Sequence, residues 1–174
     1  EMEYWTEDEA RHFLEVARED RYYYAFLLAI TTGMRQGEIL GLRWSDVDLK
    51  QRMISVRQIL NHDGKTLEPG AKTDSGIRSI AIDRNTAAEL EKLQRRTREE
   101  KMKHRDVYVD RNLVICTAYG TPVSPRNLNR TFYRLTDKAG LKRIRFHDLR
   151  HTHVVMLLKL RENNKRIAER MGWA

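Results

Sequence analysis

The spacing of apolar side chains predicts seven helices along the chain. Their predicted bounds are 6–17, 22–32, 35–42, 86–104, 124–139, 147–160 and 163–172. In the first of them, Thr6 and Glu9 have the spacing of a capping box, in which each side chain accepts a backbone amide at the helix start. Gly33 and Gly140 follow the second and fifth helices, and a glycine at such a position readily ends a helix.

Short extended segments separate some of these helices. Residues 52–60 and 77–82 alternate between apolar and polar positions, which is typical of strands with one buried face. Polar turn residues occupy 61–64 and the glycine-bounded segment 70–76, and another extended segment is predicted within 107–117. The pattern therefore predicts an α+β fold that is mainly α-helical, with a small antiparallel sheet inside a helical domain.

The composition is that of one folded domain. The chain has 174 residues, of which 40% are hydrophobic and 33% charged. The longest apolar runs, 25–30 and 154–158, are far shorter than the ~20 residues that cross a bilayer, which excludes a membrane span. The single cysteine, Cys116, excludes an internal disulfide and indicates a reducing compartment. From the residues at its two ends, we expect the chain to be a fragment of a longer protein.

The charge is positive and unevenly distributed. The chain carries a formal charge of +8, but residues 1–30 have 3 basic and 8 acidic side chains and are net −5. Residues 121–174 have 13 basic and 4 acidic side chains and are net +9. A basic region of this kind either faces a polyanion such as nucleic acid or only keeps helical surfaces soluble, and charge alone does not separate the two.

Two basic side chains lie at glycine-containing breaks in the pattern. Arg35 follows the Gly33 break at the start of a helix, where its guanidinium and free backbone amides can face one anion. The alternative is a local ion pair with Glu38 at helical spacing. Lys72 lies in the polar turn before the second strand, from which it could reach a bound ligand and donate a proton. Lys65 competes for that role, and both lysines could simply solubilise a sheet edge.

A third basic element opens the sixth predicted helix. His147, Arg150 and His151 share one helical face through their i, i+3, i+4 spacing. The two histidines could bind zinc, but Asp148 is shorter than the glutamate expected after the first histidine, and Arg150 would oppose a metal cation. A phosphate clamp is the other reading, with a fixed arginine and a histidine that can donate or transfer a proton. A polar helix start with locally satisfied histidines is the third.

Four sequence motifs, in this order and at these distances, resemble the tyrosine recombinase family, also called phage-type integrases. They are TGMRQGE at 32–38 with LRWSDVD at 42–48, Lys72-Thr73 followed by Arg78, HDLRHT at 147–152, and ERMGW at 169–173. The resemblance covers essentially the whole chain. It implies the catalytic domain of a tyrosine recombinase, with a three-stranded antiparallel sheet.

The resemblance also implies roles for individual residues. Arg35 and Arg150 would be the two catalytic arginines, Lys72 the general acid, and His147 an acid/base or phosphate contact. Trp173 stands where many members have histidine; its indole N–H can donate a hydrogen bond to phosphate but cannot transfer a proton. The supporting residues would be Glu38 and His151, which order the arginines and the helix.

The resemblance implies that the nucleophile is a tyrosine a short distance beyond Trp173, so residues 1–174 would be a catalytic domain truncated before its nucleophile. Tyr108, Tyr119 and Tyr133 match no nucleophile motif and are interpreted as core or DNA-facing aromatic residues. The N-terminal DNA-binding domains of the family would also be absent.

The implied reaction is site-specific recombination or integration of DNA in a phage or mobile element. The parent enzyme would cut double-stranded attachment-site DNA through a 3′-phosphotyrosyl link and religate it, without metal or cofactor. It would work as a homotetramer in the bacterial cytoplasm, whereas this fragment would be a monomer that binds DNA without cleaving it. Two alternatives remain open: a recombinase-like module that only binds DNA, and a zinc hydrolase built on His147 and His151.

Overall fold

The computed structural model describes residues 3–70 and 77–173, and within these ranges it has seven α-helices and five short strands. The helices are α1 (Glu7–Ala17), α2 (Tyr23–Thr32), α3 (Gln36–Leu40), α4 (Arg84–Lys103), α5 (Pro125–Lys138), α6 (Asp148–Lys159) and α7 (Asn164–Met171). The strands are β1 (Val47–Asp48), β2 (Met53–Val56), β3 (Gln58–Leu60), β4 (Leu67–Pro69) and β5 (Arg78–Ala81). The prediction of a mainly helical α+β fold is confirmed.

Local signals in the sequence account for several helix ends. Thr6 and Glu9 form the predicted capping box at the start of α1. Gly33 ends α2 with a φ of 70°, a left-handed conformation that a side chain would disfavour. Pro125 begins α5 as predicted, although the Ser124 side chain makes no capping hydrogen bond.

The strands form two small antiparallel sheets rather than one. One sheet has the order β1-β2-β5, with Ile54 of β2 opposite both Val47 and Ile80. The other is the β3-β4 hairpin. The single strand predicted over residues 52–60 was wrong, because the chain leaves the first sheet at Arg57.

Close packing of β3 against α3 explains this break. A Cβ atom at Gly41 would lie 2.6 Å from the backbone of Ile59, so the glycine is what allows the two backbones to approach. The Gln58 side chain also donates a hydrogen bond to the Gly41 carbonyl. These contacts hold β3 beside the helix that carries the candidate site.

The predicted extended segment at 107–117 is irregular in the structure. It contributes two isolated bridges, Arg43 with Leu113 and Cys116 with Pro122. Cys116 is buried and does not lie in a regular strand.

An aromatic cluster joins the helices that surround α2. Its rings come from α1, α2, α5 and the segments before α1 and α6, namely Trp5, Phe13, Phe26, Phe132 and Phe146. Phe132 is fully buried, and its ring centroid lies between 5.4 and 5.8 Å from those of Phe13, Trp5, Phe146 and Phe26. Among the residues that the structure describes, no helix is long and apolar enough to cross a membrane.

Replacing Phe132 with alanine should destabilise the fold strongly. The change removes the ring shared by α1, α2 and α5 and leaves a cavity, so the free energy of unfolding should fall by about 3–5 kcal/mol in urea denaturation. Leu160→Ala is the matched control, because Leu160 is 78% exposed and its loss should change the free energy by less than about 0.5 kcal/mol. Equal effects of the two substitutions would contradict this description of the core.

Candidate functional site

A buried carboxylate lies at the centre of the candidate site. Glu38 is in the first turn of α3, and its side chain is only 6% exposed. It accepts a hydrogen bond from the Arg35 backbone amide at 2.8 Å, which helps to start the short helix. Three arginine side chains surround the same carboxylate, and Glu38 with Arg35, Arg78 and Arg150 is called here the arginine cluster.

Arg78 forms the closest ion pair of the cluster. Its two terminal nitrogens donate to the two Glu38 oxygens at 2.8 and 2.9 Å, and its Nε donates to the Arg170 carbonyl at 2.7 Å. This role of Arg78 was not expected from the sequence. The alternation of the strand could have indicated it, because Arg78 and Ile80 lie on the same, buried side of β5, where an unpaired charge would be costly.

Arg150 approaches the carboxylate from the first turns of α6. Its guanidinium lies 4.0 Å from Glu38 and donates to the carbonyls of Gly33 at 2.5 Å and Met171 at 3.0 Å. The Gly33 break that ends α2 therefore exposes a carbonyl that holds Arg150. Residues far apart in the sequence thus fix this buried side chain from two directions.

Arg35 is the accessible member of the cluster. It precedes α3, its side chain is 43% exposed, and its guanidinium lies 3.5 Å from Glu38. The local ion pair considered from the sequence is therefore present, but it is long. This ion pair does not prevent Arg35 from binding an anion, because a guanidinium with five N–H donors can contact Glu38 and an incoming anion together.

Arg35 and Arg150 share the Glu38 carboxylate. Burial raises the pKa of Glu38, but the hydrogen bonds and charges of Arg78 and Arg35 outweigh it, so the net pKa is below the ordinary value and the carboxyl is ionised. Burial and the charge of Arg35 lower the pKa of Arg150 to about 10, with Glu38 opposing them and Arg78 adding to them. In residues 3–70 and 77–173, no carboxylate other than Glu38 lies within 4.0 Å of Arg35 or Arg150. Within these ranges the two guanidiniums therefore have one carboxylate between them, and Arg78 binds the same carboxylate.

The structure brings five of the residues proposed from sequence around one depression of about 120 Å³. They are Arg35, His147, Arg150, His151 and Trp173. A larger cleft of about 650 Å³ adjoins it, shares Arg35 and His147, and continues to Tyr133 and the hydrogen-bonded pair Gln36–Asn129. Lys72 lies outside the described residues, so its position relative to the depression is a prediction.

The two histidines differ in their surroundings. His147 precedes α6, and its pKa is below the ordinary value. Partial burial is the largest cause, the charges of Arg150 and His151 also lower the pKa, and the Asp148 carboxylate raises it. The His151 Nε2 lies 3.8 Å from the Asp148 carboxylate, and the two imidazole centroids are 5.8 Å apart.

Within the described ranges, no group of three or more histidine, cysteine or acidic side chains is arranged to hold a metal ion.

Replacing Glu38 with glutamine should destabilise the protein by about 3–5 kcal/mol, because it leaves buried arginines without their carboxylate. The difference in the free energy of unfolding between the two proteins should depend on pH. Since the folded-state pKa of Glu38 is below its ordinary 4.5, the stability that the ionised carboxylate contributes is present above pH 4.5 and is lost as pH falls through the lowered value. Urea denaturation of both proteins across this pH range measures the difference.

Glu7→Gln is the control for that substitution. Glu7 pairs with Arg11 on the exposed face of α1, so its loss should change the free energy of unfolding by less than about 0.5 kcal/mol at any pH. A Glu38→Gln protein as stable as this control would show that the carboxylate does not organise the cluster.

The chain was compared with known proteins. It matches the phage integrase family over residues 3–174. It is 34% identical to a XerC-like tyrosine recombinase of Caldanaerobacter subterraneus subsp. tengcongensis over 99% of this chain and 47% of the relative. It is 28% identical to the ICEBs1 integrase of Bacillus subtilis, over 98% of this chain and 47% of that protein. The chain therefore spans about half the length of these curated relatives.

Solved structures share the fold. XerA recombinase superposes with a TM-score of 0.79 at 24% identity, covering 99% of this chain and 56% of that one. The Tn1549 transposon integrase in complex with transposon right end DNA gives a TM-score of 0.81 at 21% identity, covering 100% and 59%. The fold and the family match agree with the motifs in the sequence. The chain belongs to the phage integrase, or tyrosine recombinase, family.

Proposed function

We propose that this chain is the catalytic domain of a site-specific DNA recombinase or integrase that cleaves and rejoins DNA through a phosphotyrosine. The observation that carries the proposal is the positive charge that Arg35 and Arg150 place together. Arg35 and Arg150 line one depression, and their charge exceeds that of the only carboxylate they share among the described residues. A DNA phosphodiester at this depression would supply the missing negative charge.

The two arginines would stabilise the transition state of the transfer. When a hydroxyl attacks a phosphodiester in line, negative charge builds on the equatorial oxygens. Guanidinium groups already held in place can stabilise this charge without reorganising at the moment of reaction. Arg150 is fixed by two carbonyls and Arg35 borders the same depression, so both can donate to the non-bridging oxygens.

The remaining residues would manage protons and orientation. Lys72 would protonate the leaving 5′ oxygen, with Lys65 as the competing donor. His147 and the Trp173 indole N–H, which border the same depression, would also contact the phosphate. Glu38 and His151 would act by orienting other groups, since Glu38 pairs with Arg78 and His151 lies beside Asp148.

The nucleophile would come from the full-length protein, beyond Trp173. His147 would accept the proton of the tyrosine hydroxyl as the phenolic oxygen bonds to the scissile phosphorus and the bond to the 5′ oxygen breaks. The leaving oxygen would take a proton from the lysine. The covalent link conserves the bond energy, so a 5′ hydroxyl of another strand can reverse the step. Four copies acting on two DNA sites would complete the exchange, whereas residues 1–174 alone would be a monomer without cleavage activity.

Substitution of Tyr133 tests whether the nucleophile lies within this chain or beyond Trp173. It lies in the cleft that also contains Arg35 and His147, and it stacks with Arg143. Tyr133→Phe should therefore leave the covalent chemistry intact, whereas removal of the tyrosine beyond Trp173 should abolish it.

The proposal is tested with the full-length protein and nicked DNA from the junction of its element, in EDTA. We expect a protein–DNA adduct that survives SDS. Arg150→Ala should slow its formation by about 10²–10³-fold, because one preorganised donor to the charged transition state is lost. Arg11→Ala is the control, since Arg11 is exposed on α1 and pairs with Glu7.

Three results would count against the proposal. An adduct that requires Tyr133 would move the nucleophile into this chain. A gel shift without an adduct would favour the alternative, a recombinase-like module that only binds DNA. Equal rates for Arg150→Ala and Arg11→Ala would remove Arg150 from the phosphate site.

DNA binding by residues 1–174 should weaken steeply as salt is raised. The segment 121–174 is net +9, and each lysine or arginine that contacts a phosphate releases a counterion on binding. Gel-shift or anisotropy titrations at several salt concentrations measure the slope of log K against log salt. A flat response would show that the basic region does not contact the DNA backbone.

A further inference from the structure

The end of α7 is bound to three other elements through one side chain. Arg170 donates from Nε to the Nε2 of His153 on α6 at 3.0 Å. It also donates from its terminal nitrogens to the carbonyl of Ala81 at the end of β5 at 2.9 Å and to that of Thr31 in α2 at 3.0 Å. The planar guanidinium matches these three directions, which a lysine ammonium on a flexible stem would not.

His153 must be neutral in this arrangement. Its Nδ1 lies 2.8 Å from the Ile30 carbonyl and therefore carries the proton, which leaves Nε2 as the acceptor for Arg170. Burial lowers the pKa of His153 to about 4, and the charges of Arg170 from α7 and Arg150 from its own helix act in the same direction. The acceptor form is thus the stable form near neutral pH.

The location of the α7 end matters because its carbonyls hold the arginine cluster. The Arg170 carbonyl accepts from Arg78, and the Met171 carbonyl accepts from Arg150. Gly172 then turns the chain with a φ of 74°, and Trp173 follows at the edge of the depression. A displacement of the α7 end would move both carbonyls and the indole together.

The partners of Arg170 favour a positioning role over a stabilising one. Within the described ranges, no carboxylate lies within 4.0 Å of its guanidinium, and its hydrogen bonds go to neutral acceptors. Burial lowers the pKa of Arg170 and so does the charge of Arg78, while the more distant carboxylates of Asp83 and Glu162 oppose them. The protein thus keeps a cation where an apolar side chain would be easier to bury. The directed hydrogen bonds are what an apolar side chain would not supply.

We propose that Arg170 is a positioning residue of the phosphate site, which acts with neutral His153 to fix the carbonyl that holds Arg150 and the ring of Trp173. The proposal rests on the proposed function, because positioning is measured against the cleavage step. Arg170 itself would not touch the DNA.

The first test uses Arg170→Lys in the full-length protein, with single-turnover adduct formation on saturating nicked DNA. The rate should fall about 100-fold, as for a reacting group that is misplaced by about 1 Å. DNA affinity measured by gel shift should change less than about 3-fold, because the basic surface that supplies it is unaltered. Arg166→Lys is the control on the same helix; Arg166 is 77% exposed and pairs only with Glu162 among the described residues, and it should behave like the parent.

The second test uses the partner histidine. His153→Gln keeps an oxygen that can accept from Arg170 and should retain most of the rate, whereas His153→Leu should lose as much as Arg170→Lys. Combining Arg170→Met with His153→Leu should slow the reaction no further than the more damaging single change, because both changes remove the same Arg170–His153 hydrogen bond. Independent, multiplying losses would contradict the proposal.

A third measurement does not depend on the proposed function. With 5-fluorotryptophan incorporated, the ¹⁹F resonance of Trp173, assigned through Trp173→Phe, should move in Arg170→Lys and stay in place in Arg166→Lys. If the parent protein forms no adduct, the proposed function fails while this resonance still tests the positioning role. An unmoved resonance would overturn the proposal. So would losses of rate, DNA affinity and thermal stability that run in parallel, because they would indicate a purely structural residue.

Discussion

The buried Glu38 carboxylate is the interaction on which the candidate site depends. It is bound by both terminal nitrogens of Arg78, it accepts the Arg35 amide, and it lies 4.0 Å from Arg150. Without it, three guanidiniums would repel one another in a partly desolvated region. With it, they remain together, and Arg35 and Arg150 share this one carboxylate among the described residues. One acidic side chain therefore offsets the repulsion between the arginines and lets a preorganised anion site exist in a folded domain, whose net stability is a small difference between large terms.

The fold brings these groups together from distant parts of the chain. The break at Gly33 places Arg35 at the start of α3 and leaves the Gly33 carbonyl to hold Arg150. Gly41 lets β3 lie directly against α3, and β5 delivers Arg78 to Glu38. The aromatic cluster packs α2, which ends at the Gly33 break, against α1, α5 and the segment before α6. Small local features, two of them glycines, thus decide whether the charged groups meet.

Sequence reasoning located the parts of the site that local pattern or family motifs encode. The i, i+3, i+4 spacing put His147, Arg150 and His151 on one face, the Gly33 break pointed to Arg35, and the motifs added Trp173; the structure brings all five around one depression. It did not find Arg78 as the partner of Glu38 or the break at Arg57. Both depend on which distant backbone a strand packs against, and alternation in one segment holds no information about its neighbour. The roles assigned through the motifs, including that of Lys72, stay predictions.

An experimental structure of the full-length protein bound to DNA from its element junction tests the proposed phosphate site most directly. We expect the guanidiniums of Arg35 and Arg150 to donate to non-bridging oxygens of one phosphate, with the Glu38–Arg78 pair unchanged beneath them. We also expect the phosphate to lie in the depression bordered by His147 and Trp173. A phosphate bound away from this depression, or an Arg150 that contacts only protein carbonyls beside the bound DNA, would contradict the proposed site.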